Sequence, residues 1–114
     1  MLTQDDARVV ARQFHETAWF RGWTLLAYAV MRNHVHAVVG VPGDPDPATL
    51  LLSFKSYASR ALNRLHGERR RWWTASGSRR RLRTEAHVAA AVRYVQAQQY
   101  PLVVWTHSGF PELW

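Results

Sequence analysis

Trp23-Thr24-Leu25-Leu26-Ala27-Tyr28-Ala29-Val30-Met31-Arg32-Asn33-His34-Val35-His36-Ala37-Val38-Val39-Gly40-Val41 carries the pattern on which the fold depends. Trp23 to Val30 is an apolar run rich in strand-favouring residues, Arg32-Asn33 breaks it, and His34 to Val41 resumes it. Two such runs around so short a polar break predict an antiparallel hairpin. Along the second run side chains alternate between faces, so His34 and His36 project the same way while Val35 points into the core. Parallel imidazoles can share a metal ion, yet a His-x-His arises easily by chance in a chain with six histidines and needs a third ligand.

Upstream of the hairpin, Thr3 and Asp6 have the spacing of a capping box, and Val9, Val10, Phe14 and Ala18 recur at helical intervals, predicting a helix that ends near Arg21-Gly22. Downstream, Pro42 to Pro47 is a loop, and a second helix starts near Ala48. Its apolar positions Leu50, Leu51, Phe54, Tyr57, Ala58, Ala61, Leu62 and Leu65 repeat with a period near 3.6, and His66-Gly67 is its stop. Thr84 caps a third helix with the stripe Val88, Ala91, Val92 and Val95, ended before Pro101, and Leu102 to Trp105 is a candidate last strand. The order of elements is an α+β pattern in one domain, residues 1–114.

The net charge of +7 is local. Eleven of the fifteen basic residues but two of the eight acidic ones lie between Phe54 and Arg93. The densest part holds Arg69, Arg70, Arg71, Arg79, Arg80, Arg81 and Arg83, with Trp72 and Trp73 among them, and Lys55 precedes it. A concentrated basic surface with aromatic neighbours favours a nucleic acid, through counterion release at phosphates and base stacking. The absence of cysteine excludes disulfides and thiolate zinc sites. With no apolar run long enough to span a bilayer and no signal-like start, a cytoplasmic protein without a membrane partner is expected.

On the third helix Tyr94 lies roughly 200° from Val92, away from the apolar stripe, with His87, Ala90 and Gln98 on its own face. Tyr94 and Gln98 are four apart, so a phenol and an amide oxygen are expected one turn above the other. Tyr57 is the rival tyrosine, but its place beside Phe54, Ala58 and Ala61 assigns it to the core. Met31, Trp23 and Tyr28 are read as packing, and His15, His66, His87 and His107 have no partner spacing.

The stretch Gly22-Trp23 through Tyr28, Val30-Met31 and Asn33-His34-Val35-His36 resembles the HUH signature (His, hydrophobic, His) of the single-tyrosine transposases, which include the insertion sequence 200-like and REP-associated tyrosine transposases. Ser53-Phe54-Lys55-Ser56 is similar to the family's basic helix, and Tyr94-Val95-Gln96-Ala97-Gln98 to its tyrosine motif. The likeness covers about residues 22–100. It implies a ferredoxin-like antiparallel sheet with helices on one face, and an HUH endonuclease that nicks and rejoins single-stranded DNA through a 5′-phosphotyrosine. Tyr94 is then the nucleophile, and His34, His36 and Gln98 hold a divalent cation, Mg²⁺ or Mn²⁺. Lys55 and the seven arginines from Arg69 to Arg83 grip a hairpin substrate, and a homodimer is expected. The pattern departs from the family in two places. Arg32 stands where a proline is common, and the family's first strand is lacking, which leaves the histidine strand beside an open edge that Leu102 to Trp105 is a candidate to cover. The alternative is a truncated or domesticated relative that binds hairpin DNA or RNA without cutting it.

Overall fold

Thr3 begins the first helix by the mechanism its spacing predicts. Its hydroxyl accepts from the Asp6 amide while the Asp6 carboxylate accepts from the Thr3 amide, so helix α1 (Gln4–Arg21) starts with both orphan donors satisfied. Gly22, at φ 75°, closes it in a left-handed conformation that costs a glycine little. The computed structural model describes residues 1–70, 72 and 81–109. Arg71, Trp73, Arg79 and Arg80, singled out above, lie outside the described residues.

The hairpin forms as β1 (Thr24–Val30) and β2 (Val35–Gly40), antiparallel, with Val30 opposite Val35 and Thr24 opposite Gly40. The register shifts between Leu25 and Ala27, so Leu26 is an extra residue in the ladder. That bulge lets Leu26 and Ala27 turn to the same side. Beyond it Tyr28 and Val30 face one way and Ala27, Ala29 and Met31 the other. Helix α2 (Pro47–His66) is capped by the Asp46 carboxylate, with Pro47 as its first helical residue instead of the last of the loop, where a missing amide hydrogen costs nothing. Helix α3 (Glu85–Gln96) is capped by Thr84.

Strand β3 (Val103–Thr106) pairs antiparallel with β1, giving the order β2-β1-β3. It therefore does not cover the free side of β2, as the run Leu102 to Trp105 was expected to do. The Leu102 amide donates to Val30 and the His107 amide to Leu26, which fixes this segment on the opposite side of β1.

The α+β class and the antiparallel sheet agree with expectation, but the helices do not share one face. Helices α1 and α2 cover one side of the sheet, packing Val10, Phe14, Phe54 and Leu62 against Tyr28 and Val30. Helix α3 covers the other, setting Val88, Val92 and Val95 against Leu26, Ala27, Ala29 and Met31. The reason is β1, which is apolar at every position from Leu25 to Met31 and so needs cover on both sides. Among the described residues α3 touches the sheet but neither other helix. Its three valines, on the order of 1.5–3 kcal/mol each when fully buried, and the Gln96 side chain's bond to the Thr106 hydroxyl hold it in place.

Tyr57 also departs from its expected core position. It is half-buried at the rim of α2, with Arg21 and Arg60 over its ring, because the face of α2 turned inward is Phe54, Ala58, Ala61 and Leu62.

Asp6 is 2% exposed, and besides Thr3 it takes a 2.6 Å hydrogen bond from His66 at the far end of α2. Burial alone would raise its carboxyl, but the bonds from Thr3 and His66 together outweigh burial and hold it below the usual carboxylate value. The unfolded chain thus binds this proton more readily than the folded one. The contribution of the carboxylate is complete above the ordinary value of 3.8 and is lost as pH falls through the lower folded value. Asp6→Asn is expected to cost about 1–3 kcal/mol near neutral pH in urea unfolding, with the gap to wild type closing in strong acid. A gap that persists undiminished there would exclude the ionised carboxylate as its source.

Candidate functional site

Alternation along β2 puts His36 and Val38 on the α3 side of the sheet, and His34, just before the strand, joins them. The His34 and His36 rings lie edge to face with centroids 4.9 Å apart. His34 is exposed and His36 half-buried. Because α3 is clamped to this same side, Tyr94 is carried over the histidines. Its ring meets His36 edge to face at 5.5 Å while remaining 62% exposed. Residues from two elements 58 positions apart in sequence therefore form one cluster, His34, His36 and Tyr94.

Two local features bear on the imidazole nitrogens. The Asn33 side-chain oxygen lies 2.7 Å from Nδ1 of His34. A carbonyl oxygen only accepts, so in the neutral ring Nδ1 carries the hydrogen and Nε2 the lone pair. Burial, aided by the nearby His34, pushes the His36 imidazole below its ordinary value, which favours the neutral form. His36, and His34 through Nε2 of its neutral ring, can each offer a nitrogen lone pair.

Gln98 is placed differently from the helical stacking expected of it. Helix α3 ends at Gln96 with Ala97 as its cap, and Gln98 lies beyond, its side-chain amide donating back to the Tyr94 carbonyl at 3.1 Å. That bond uses the nitrogen and leaves the side-chain oxygen available as an acceptor or ligand. Among the described residues no three His, Cys, Asp or Glu side chains come together. A cation held here would therefore rest on two imidazoles with an amide or exogenous oxygens, a neutral donor set suited to Mn²⁺ or, less strongly, Mg²⁺.

His36 and Tyr94 line a cleft of about 930 Å³ that follows the outer edge of β2 between the start of α2 and α3, with His34 just outside it. Arg81, Arg83 and His87 line it beside Tyr94 and His36. Arg81 also bonds the Asp44 carboxylate at 2.8 Å, tying the end of the basic segment to the loop after β2. The other basic residues are not gathered here. Lys55 is half-buried on α2 outside the cleft lining, and Arg69 and Arg70 follow the C-terminus of α2, where Arg70 pairs with Glu68 at 2.7 Å.

Sequence spacing missed two groups. Asn33 was readable as the immediate neighbour of His34, whereas the bond between His15 Nε2 and the Tyr28 hydroxyl, 2.8 Å, joins α1 to β1 and has no spacing signature. Burial lowers His15 and raises Tyr28, so this is a bond between neutral groups on the side of the sheet away from the histidine pair.

No helix among the described residues is long and apolar enough to cross a membrane. Neither a curated protein nor a solved structure matches the chain with significance. The family model of IS200-like transposases matches residues 1–98, from the cap of α1 through Gln98, and so takes in the histidine pair, the basic helix and the tyrosine motif. The chain belongs to the IS200-like transposase family.

Proposed function

We propose that this single domain is a metal-dependent transposase that nicks single-stranded DNA with Tyr94 and rejoins it through a 5′-phosphotyrosine. The observation that carries the reading is the seating of an exposed phenol against a pair of imidazoles that can each offer a nitrogen lone pair. His34 and His36, with the side-chain oxygen of Gln98, are the residues to hold a divalent cation. When bound, such a cation draws charge from a nonbridging phosphate oxygen and orients the diester.

The residues of the chain account for the other parts. Arg81 and Arg83, at the cleft wall, hold the flanking phosphates. Arg69, Arg70, Lys55 and the basic residues outside the described part extend that grip along the hairpin substrate. The Tyr94 oxygen attacks phosphorus and loses its proton to solvent, while the bond to the 3′ oxygen breaks and that oxygen takes up a proton. The product is a 5′-phosphotyrosine and a free 3′-hydroxyl. Because the diester's energy is conserved in the new ester, a 3′-hydroxyl can reverse the step and join a different end, which is the recombination chemistry. Tyr94 meets His36 of its own chain, which supports cleavage within one subunit even in the homodimer expected of the family.

A second reading, binding of hairpin DNA or RNA without cleavage, has one observation behind it. The Gln98 amide is engaged with the Tyr94 backbone beyond the helix end, so the third donor is not aligned with the histidines by helical stacking.

On a denaturing gel, a labelled hairpin oligonucleotide is expected to give a protein–DNA adduct with Mn²⁺ or Mg²⁺, none with EDTA, and none with Tyr94→Phe. An adduct that forms equally well with Tyr94→Phe removes Tyr94 as nucleophile. Salt-sensitive binding that ignores EDTA and His36→Ala, with no adduct under any condition, establishes the second reading instead. The role of Asn33 is read separately by nitrogen-detected NMR of the imidazoles. Wild-type His34 is expected as the Nδ1–H tautomer and Asn33→Ala as a tautomer mixture, with divalent-cation affinity down roughly 10- to 100-fold. An unchanged His34 tautomer in Asn33→Ala would show that the asparagine does not set it.

A further inference from the structure

On the side of the sheet away from the histidine pair, α1 and α2 run antiparallel, with Asp6 beside His66 at one end and Arg21 beside Tyr57 at the other. Between them lies a shallow groove of about 370 Å³, lined by Arg12, Glu16, Arg64 and Leu65 among others. Aromatic side chains flank it beyond either end of its lining. At one, Trp19 and Phe20 are 84% and 70% exposed, and the Arg21 guanidinium sits about 6 Å from the rings of Phe20, Trp23 and Tyr57. At the other, Trp72 is fixed by a 2.9 Å bond to Asn63 and stands against His66, with Arg70 4.6 Å above its ring.

We infer that this groove is a second binding site, taking single-stranded DNA along the outer face of α1 and α2. Tyr57, Arg60 and Arg64 form one ridge of α2 and Arg12, Glu16 and Phe20 one ridge of α1; Arg12, Glu16 and Arg64 line the groove itself, and the ridges continue from it toward the contact of Arg21 with Phe20 and Tyr57. Among the described residues Arg12, Arg21, Arg60, Arg64 and Arg69 have no ion-pair partner. Asp6 is buried on His66 and Glu68 is taken by Arg70, leaving Glu16 as the one carboxylate lining the groove. Unpaired guanidinium groups along the two helices, with the exposed rings of Trp19 and Phe20 at one end, match the alternating phosphates and bases of a single strand.

Charge also decides against the other obvious occupant. An almost fully exposed tryptophan beside an exposed phenylalanine marks a contact surface. A second copy seated on it by two-fold symmetry would set one arginine-rich patch against another, and like charges face to face oppose association. A polyanion meets no such opposition. From Arg12 to Arg21 the groove runs about 14 Å at 1.5 Å per residue, room for a few nucleotides. The groove lies on the α1–α2 side of the sheet and Tyr94 on the α3 side, so the strand held here is a flank of the substrate, not the segment presented for cleavage.

The site does not depend on the chemistry assigned to Tyr94, and the test separates the two. Binding of a fluorescent, unstructured oligo-deoxythymidine to the full chain is followed by anisotropy over a range of salt, for wild type, Arg60→Gln/Arg64→Gln and Trp19→Ala/Phe20→Ala. The arginine variant is expected to flatten the slope of log affinity against log salt by about 1.4, two contacts at roughly 0.7 each. The aromatic variant is expected to weaken binding about 5- to 150-fold, the loss of stacking under one base, while both still form the metal-dependent adduct on a short hairpin. Unchanged affinity and slope in both variants overturns the proposal. So does a switch from dimer to monomer in sedimentation of the aromatic variant with oligonucleotide affinity intact, which would make the surface a contact between copies. All four side chains are exposed or at the rim, so equal urea midpoints are expected and make the comparison direct.

Discussion

The burial of β1 on both faces constrains everything else in this small chain. From Leu25 to Met31 the strand offers no charged side chain, and the one polar group, the Tyr28 hydroxyl, is satisfied by His15. A strand of that kind has to sit between two layers, and the bulge at Leu26 apportions its side chains between them. Large residues, Tyr28 and Val30, meet the aromatic core of α1 and α2, where Phe14 stacks edge-on with Tyr28 and Phe54. Small ones, Ala27 and Ala29, let α3 lie close. The placement of α3, and with it the position of Tyr94 over His36, is thus a consequence of where β1 carries alanine and where it carries bulk.

The same layering divides the polar chemistry of the molecule. The α3 side holds the imidazole pair and the phenol, and the cleft with Arg81 and Arg83 opens from there around the edge of β2. The α1–α2 side holds the arginine groove and its exposed aromatics. Between them the sheet is an apolar wall, so neither set of charges perturbs the other strongly. The edge of β2 is the seam. Among the described residues it has no strand partner on its outer side, and the cleft runs along it. No charged residue or proline guards the strand, in which Val35 and Val39 pack on the aromatic core, Ala37 is exposed, and His36 and Val38 lie on the α3 side.

Local rules accounted for the parts of the chain whose determinants are neighbours in sequence. The capping box at Thr3 and Asp6, the glycine stops at Gly22 and Gly67, the Thr84 cap and the hairpin around Arg32-Asn33 all depend on residues within a few positions of one another. The parity of His34 and His36 follows from strand geometry alone. The position of Tyr94 off the apolar stripe of its helix was readable for the same reason. Tyr57 was misplaced because helical periodicity locates an apolar arc but not its rim, and at the rim an aromatic ring is as well served by Arg21 and Arg60 as by the core.

What the amino-acid sequence determined by itself is therefore the set of elements, their caps, the paired imidazoles on one side of a strand and, through two motifs in order, membership of the transposase family. Only the tertiary structure decided that α3 lies on the opposite face from α1 and α2, that β3 joins β1 and not β2, and that the described arginines of the basic segment separate, Arg81 to the β2 edge and Arg70 to the end of α2. The physical reason is range. Caps, turns and alternation are settled by interactions among adjacent residues, whereas the face on which a helix packs is settled by which distant apolar surface still lacks cover. That surface, the alanine side of β1, exists only once the hairpin has formed.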